Sequence, residues 1–194
     1  MHNRGMDSAM VDNYRFLAGY NRWFNRRLFD ACEQLSDDER KRDRGAFFGS
    51  IHNTLNHLAW ADQLWLGRFA AQEGYAFPAL DSSLLALPAG AAGVHETVLH
   101  PDWPGLRAKR ERLDEAIAAW LTDMPADFPA STMRYSNTKG VRREHPAWMG
   151  LTHFFNHQTH HRGQLTTLLL QAGHDPGVTD LLAMLVAESP QSTS

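Results

Sequence analysis

Four long stretches of the chain repeat apolar residues at spacings of three and four, which is the period of a helix with one buried face. They span residues 8–35, 48–72, 104–124 and 146–173. Polar residues stand on two of these apolar faces, Asn21 in the first stretch and Asp62 in the second. Four helices of this length predict an all-α fold, specifically a four-helix bundle.

The segments between these helices have other patterns. Residues 36–45 are dense in charge and carry no apolar period, so we expect a loop there. Residues 74–102 contain several Gly, Ala and Pro residues and predict a long excursion with a short helical turn near 84–87; a loop of this length often has a function. Residues 131–145 predict a small β-hairpin, and residues 178–188 predict a short amphipathic C-terminal helix.

Length and composition narrow the class of protein. The chain has 194 residues, of which 43% are hydrophobic and 21% charged, so we expect a single globular domain over 1–194. We expect about 1–6 and 189–194 to be flexible. The net charge of −3 and the lack of a basic stripe argue against nucleic-acid binding. No run of apolar residues is long enough to predict a membrane span.

Cysteine usage and the first residues suggest a compartment. Cys32 is the single cysteine, so no disulfide can form within the chain, and a reducing cytoplasm is the expected location. Because Cys32 lies in an apolar-periodic stretch, we expect a buried structural thiol. The N-terminal residues have no apolar core of the kind found in a secretory signal.

The most informative segment is rich in histidine. His157 and His161 are four residues apart in the last long helix, and this spacing places two imidazoles on one face, about one turn apart. Two such side chains can share one metal ion. No glutamate follows the first of them, so the helical zinc motif of metalloproteases is not met.

A third ligand has to come from another helix. The second helix offers His52 and His57, and His57 is the better candidate because an apolar, Trp-containing run follows it. Three histidines leave a position open for water or substrate, as in catalytic sites. They do not identify the divalent ion: zinc, nickel, iron, copper and manganese stay open. An ordinary role in the core or on the surface is the alternative for each histidine.

Two further histidines flank this set. His153 lies one turn before His157, and His160 lies three residues after it. Each is a candidate for proton transfer, a contact of a ligand, a ligand itself, or a residue without a role in the site. Asn156 and Gln164 are candidates for orienting the ligands, although ordinary polar surface positions are the simpler account of both.

Four segments together resemble the DinB family, the DinB/YfiT-like group of metalloenzymes. They are Tyr-Asn-Arg-Trp-Phe-Asn-Arg-Arg-Leu at 20–28, Ser-Ile-His-Asn-Thr-Leu-Asn-His-Leu at 50–58, the hairpin around Tyr135 and Gly140, and Asn-His-Gln-Thr-His-His-Arg-Gly-Gln at 156–164. The resemblance covers most of the chain from about residue 10 to 173. The segment at 156–164 is fairly specific, and the histidine of the second helix makes the combination more so.

The resemblance implies a four-helix bundle, a metal site of three histidines and commonly a homodimer. Its ligands map onto His57, His157 and His161. Several relatives are thiol-dependent S-transferases or isomerases in which the metal activates a low-molecular-weight thiol, and many members have no known activity.

The predicted function is therefore that of a divalent-metal-dependent enzyme acting on a small molecule, with thiol S-transfer as the preferred reaction. A metal-dependent hydrolase would use the same open site to activate water. A non-catalytic metal-binding or sensing bundle is the alternative outside the enzyme class. The six tryptophans are expected to pack in the core or at an interface.

Overall fold

Four long helices form about half of the molecule, as the hydrophobic pattern predicts. The structure is a computed structural model that describes residues 4–91 and 97–188, with side chains described for 8–91 and 97–186. The described elements are α1 (Arg4–Glu33), α2 (Asp37–Lys41), α3 (Ile51–Ala70), α4 (Ser82–Leu85), α5 (Trp103–Thr122), a 3-10 turn (Phe128–Ala130), β1 (Thr132–Ser136), β2 (Arg142–Pro146), α6 (Ala147–Gln171) and α7 (Leu181–Glu188).

The long helices α1, α3, α5 and α6 pack against one another. Helix α1 contacts α5 and α6, and α3 contacts the same two helices. The large side chains Leu28, Phe69, Trp120 and Phe154, one from each helix, are at most 1% exposed. The rings of Phe69 and Trp120 stack with centroids 5.0 Å apart. Burying a side chain of this size contributes about 1.5–3 kcal/mol, so one shared core stabilises all four helices.

Local capping explains where two of these helices begin. The Ser50 side chain accepts a hydrogen bond from the Asn53 backbone N–H at the start of α3, and Asp102 does the same for Gly105 at the start of α5. Such caps satisfy backbone N–H groups that have no partner within the helix. A glycine follows the C-terminal end of α6. Gly173 has a φ of 84°, a left-handed conformation that favours glycine.

The prediction that residues 36–45 form only a loop is wrong, because the short helix α2 lies within them. Ser36 and Glu39 form a reciprocal capping box at its start. The Ser36 side chain accepts from the Glu39 N–H, and the Glu39 carboxylate accepts from the Ser36 N–H at 2.9 Å. This pattern of a serine followed three residues later by glutamate is a helix-start signal even without an apolar period.

The predicted hairpin is confirmed. Strands β1 and β2 pair antiparallel with Met133 opposite His145. Gln72, just after α3, holds the hairpin through both groups of its amide: its Nε2 donates to the Arg134 carbonyl at 3.0 Å, and its Oε1 accepts from the Arg134 N–H at 2.8 Å. Met133 is fully buried, and its sulfur would lie 3.0 Å from a Cβ added to Gly150 on α6. The hairpin therefore packs on α6 beside the end of α3.

The long excursion is tied to α3 at its far end. The Asn56 side chain accepts from the His100 N–H at 2.8 Å and donates to the His100 carbonyl at 3.1 Å. Helix α4 lies near the predicted turn, two residues earlier, and residues 92–96 lie outside the described part. Helix α7 begins at Leu181, three residues later than predicted.

The predictions for the two ends of the chain fall largely outside the structure. Residues 1–3 and 189–194 are not among those described, whereas residues 4–6 belong to α1. Across the described helices, none combines the length and the apolar character that crossing a membrane requires.

Candidate metal centre

The three predicted ligands meet where α3 packs on α6. The Nε2 atom of His157 lies 3.1 Å from the Nε2 of His57 and 3.1 Å from the Nε2 of His161. One ring nitrogen from each residue lies within 4.8 Å of the other two. His57 and His161 are buried and His157 is partly buried. These three side chains are close enough to hold one metal ion.

The spacing of the nitrogens fits a shared ion. Two imidazole nitrogens that bind one tetrahedral zinc ion at about 2.0–2.1 Å lie about 3.3 Å apart. The two 3.1 Å separations centred on His157 are close to this value. Within the described residues, no fourth His, Cys, Asp or Glu joins the group.

Gln164 fixes the protonation of one of the three rings. Its Oε1 lies 2.8 Å from Nδ1 of His161, so this nitrogen must carry a hydrogen and donate it. In the neutral ring the Nε2 of His161 then has a free lone pair, and it points towards His157. The Gln164 amide nitrogen faces Nε2 of His160 at 3.3 Å, consistent with this orientation of the amide. The contact restricts the His161 ring, which is what orienting a candidate ligand would require.

The electrostatics of the cluster favour uncharged rings. Burial, together with the neighbouring His161 and His57, lowers the pKa of His157 to about 3. Burial also lowers the pKa of His161, and the hydrogen bond to Gln164 partly opposes that shift. Neutral imidazole is the form that binds metal ions, so these residues are ready to bind near neutral pH without first losing protons.

An aromatic wall covers one side of the cluster. The ring of Phe48 stacks on His57 with centroids 4.0 Å apart, and it lies 5.5 Å from the ring of His161. Trp60 stacks on the same His57 at 5.7 Å. These rings limit the access of water to His57 and restrict its orientation.

The two candidate proton carriers lie beside the cluster on exposed positions of α6. The His153 ring is 5.8 Å from that of His157, and the His160 ring is 4.9 Å from that of His161. Burial, followed by the positive charges of Arg68 and His145, lowers the pKa of His153. Neither side chain belongs to the three-histidine group.

Two other polar candidates face elsewhere. The Nε2 atom of His52 lies 2.9 Å from the His100 carbonyl and donates to it, at the far end of the long excursion. Asn156 is exposed and lines a shallow groove with Tyr14 and Thr159 on the side of α6 near α1. Neither residue contributes to the cluster.

A buried polar network lies next to the histidines. The sequence analysis did not predict it. Arg110 on α5 pairs with Asp62 at 2.6 Å and with Asp114 at 2.9 Å. Gln158, next to His157, donates to Asp62 at 2.9 Å. The side chains of these four residues are all at least nine-tenths buried. The network therefore links α3 to α6 at the residue adjacent to a candidate ligand.

The same network extends to α1. Asn21 and Asn25 donate to Asp114 at 3.1 and 2.9 Å, and Arg162, next to His161, donates to the Asn21 side chain. The signal for this network was present in the sequence, because Asn21 and Asp62 stand on apolar helical faces. A buried polar residue needs a hydrogen-bonding partner, but the partners come from distant helices.

Comparison with known proteins agrees with the resemblance to the DinB family. Residues 10–192 match the DinB family. The chain is also similar to the protein named Protein DinB from Bacillus subtilis (strain 168), with 25% identity over 161 residues, covering 83% of this chain and 87% of the relative. No solved structure gives a significant match. With a family match that includes all three histidines and nearly the whole length, the chain belongs to the DinB family.

Proposed function

We propose that His57, His157 and His161 bind one divalent metal ion and that the protein is a metal-dependent enzyme, a thiol-dependent S-transferase by preference. The observation that carries the proposal is the convergence of three Nε2 atoms in a partly covered site. The long helices, which pack in a closed ring of contacts around a shared core, support the further reading that the chain is a single-domain four-helix bundle.

Three candidate ligands are found among the described residues, a number that supports catalysis over a purely structural role. Structural zinc sites close all four positions with protein ligands, whereas catalytic sites use three and leave one for water or substrate. A divalent ion in such a site lowers the pKa of a water or thiol bound to it. Imidazole ligands suit zinc, nickel, iron and copper, and the identity of the ion stays open among these and manganese.

The residues of the chain have separate tasks in this scheme. Gln164 holds His161 in the tautomer that presents Nε2 to the ion. Phe48 shields His57 and keeps the site partly dry, which strengthens electrostatic interactions there. When a thiol R–SH and an electrophile R′–X give R–S–R′ and HX, the sulfur loses one proton and the leaving group takes the electron pair of the broken bond. The rings of His153 and His160 lie beside the cluster, and this proximity supports a role for them in accepting that proton or passing it to solvent.

Metal content is the first test. Protein prepared without chelators or a metal-affinity tag should contain about one divalent ion per chain by elemental analysis. The double variant His157→Ala/His161→Ala should lose it. His174→Ala is the matched control, because this histidine lies beyond the end of α6 and should leave the metal content unchanged. Absence of bound metal, and no uptake of zinc, nickel, iron or manganese on titration, would sink the proposal.

Thiol dependence then separates the candidate reactions. The metal-loaded protein should accelerate the reaction of a small thiol with chlorodinitrobenzene, and the double variant should not. Hydrolysis of an activated ester at a rate independent of added thiol would favour the hydrolase. Tight metal binding without either activity would favour a binding or sensing role.

A further inference from the structure

Arg68 on α3 is a partly buried cation without an acidic partner. Its guanidinium carbon lies 4.7 Å from the ring centroid of Trp65 and 4.7 Å from that of Tyr135. One N–H donates to the Ser136 carbonyl at 3.4 Å. Throughout 4–91 and 97–188, no carboxylate forms an ion pair with it, in contrast to Arg107, Arg110 and Arg134. Arginine has five N–H donors, so most of them are available to a ligand.

The partial burial of Arg68 indicates that its charge needs a ligand as a partner. Desolvation by the surrounding side chains lowers the pKa of Arg68, which means that the folded protein weakens the solvation of this charge without supplying a counter-charge. The two aromatic faces fix the plane of the guanidinium. A fixed, poorly solvated guanidinium is suited to binding a carboxylate or phosphate through paired hydrogen bonds.

Arg68 lies on the same face of α3 as the metal candidate His57. The two residues are eleven positions apart, three helical turns, which corresponds to a rise of about 16 Å. Leu64 lies between them on this face. The aromatic rings of His157, His153 and Trp65 form a second line of contacts from the cluster to Arg68.

A groove of about 400 Å³ lies between this part of α3 and the hairpin. Leu64, Leu85 and Leu87 give it apolar walls, and Arg68 and Arg134 lie at its hairpin side. No acidic residue is among the described residues that line it. Arg134 is paired with Glu144 at 2.9 Å and its side chain is 67% exposed, whereas Arg68 is partly buried and has no acidic partner among the described residues.

A second polar residue borders the groove. Gln63 is among the residues that line it and is 2% exposed, and its amide nitrogen lies just below the surface with no hydrogen-bond partner among the described residues. An unsatisfied buried donor is costly, and a water or ligand that completes its hydrogen bonding is one way to remove that cost. Gln63 and Arg68 both supply donors, so the missing partner is an acceptor.

We propose that the groove between α3 and the hairpin binds the anionic end of the substrate, a carboxylate or phosphate held by Arg68, with Gln63 donating to an acceptor of the same molecule. The apolar walls bind the stem that connects this end to the group at the three histidines. The placement of the other end of the ligand at the three histidines rests on the proposed function. The ligand is thus an elongated small molecule with a metal-binding group at one end and an anion at the other.

Matched probes test this inference by calorimetry on the metal-loaded protein. Mercaptohexanoate and mercaptoundecanoate are compared with their primary amides and with mercaptoalkyl phosphates of equal length. Because charge-assisted hydrogen bonds are strong, the longer acid or phosphate should bind at least about tenfold more tightly than its amide. The anion with the greater preference identifies the natural group.

The preference should depend on Arg68 and not on the exposed Arg142 of the hairpin. Arg68→Met should abolish it, Arg68→Lys should keep part of it, and Arg142→Met should leave it unchanged, because Arg142 is exposed on the hairpin and does not line this groove. Equal binding of acid and amide to the wild type, or an intact preference in Arg68→Met, would overturn the inference.

Failure of the metal site can be told apart from failure of the anion site. If the protein takes up no metal, the proposed function fails, and thiol-free undecanoate and undecanamide still test the groove. A preference for undecanoate that Arg68→Met removes would then support the anion site by itself. If metal and the thiol amides bind but the acids gain nothing, the anion site fails and the metal site stands.

Discussion

Replacing Arg110 by methionine should destabilise the fold severely. Arg110 is 4% exposed and forms ion pairs with two buried carboxyl groups, Asp62 at 2.6 Å and Asp114 at 2.9 Å. Methionine preserves much of the apolar stem but leaves both acids without this cation. Breaking a buried ion pair by removing one partner costs about 3–5 kcal/mol, a large share of the about 5–15 kcal/mol that stabilises a typical domain.

The control is an ion pair of similar length on the surface. Arg134 lies 2.9 Å from Glu144, but their side chains are 67% and 61% exposed. Arg134→Met should therefore cost about 0–1 kcal/mol. Urea denaturation followed by far-UV circular dichroism gives both free energies of unfolding, provided that the slope against urea stays constant. A loss for Arg110→Met no larger than that for Arg134→Met would refute the importance of the buried network.

The pH dependence of the deficit provides a further check. Burial raises the pKa of Asp114, and Arg110 opposes that rise. A carboxyl whose folded pKa exceeds its unfolded pKa favours folding when protonated, and this contribution is lost as the pH rises through the folded pKa. Without Arg110 the pKa of Asp114 should rise further. The deficit of Arg110→Met relative to wild type should therefore shrink as the pH falls, and Asp114→Asn added to it should restore part of the stability.

Three more outcomes follow from single side chains. Gln164→Ala should weaken metal binding about 10–100-fold, measured by competition with a chelating dye, whereas Gln171→Ala, exposed on the same helix, should not. Gly150→Ala should lower stability by about 1 kcal/mol or more, because the added Cβ meets buried side chains. Gly163→Ala has open space around its Cβ and should raise stability by up to about 1 kcal/mol. Thermal unfolding should therefore show shifts of opposite sign for the two variants. Cys32 is fully buried and burial raises its pKa to about 12, so it should react with a thiol reagent only after denaturation, and rapid reaction in the native protein would contradict this burial.

The helices and two of the three candidate ligands follow from local patterns. The spacing between His157 and His161 fixes their common face once the segment is helical, so no tertiary information was needed. The choice between His52 and His57 depends on how α3 packs, and the apolar run after His57 was sufficient to indicate the side that faces α6. The helix α2 was missed because its signal lies in the caps and not in apolar periodicity.

The buried network could not be predicted from the sequence, for a physical reason. Asn21 and Asp62 could be recognised as polar residues on apolar faces, but a charged residue such as Arg110 normally lies on a helix surface. Its burial follows only from the simultaneous approach of α3, α5 and α1, which brings carboxylates to it. Arg68 posed the same difficulty, since its aromatic partners come from both α3 and the hairpin.

X-ray absorption spectroscopy of the metal-loaded protein would identify the atoms that bind the ion. We expect three imidazole nitrogens at about 2.0–2.1 Å from a bound zinc ion, with a light atom completing the shell, and a sulfur at about 2.3 Å after a small thiol is added. The imidazole signal should fall in His157→Ala and stay unchanged in His174→Ala. Fewer than two imidazoles around the ion, or a shell that His157→Ala leaves unchanged, would contradict the site formed by His57, His157 and His161.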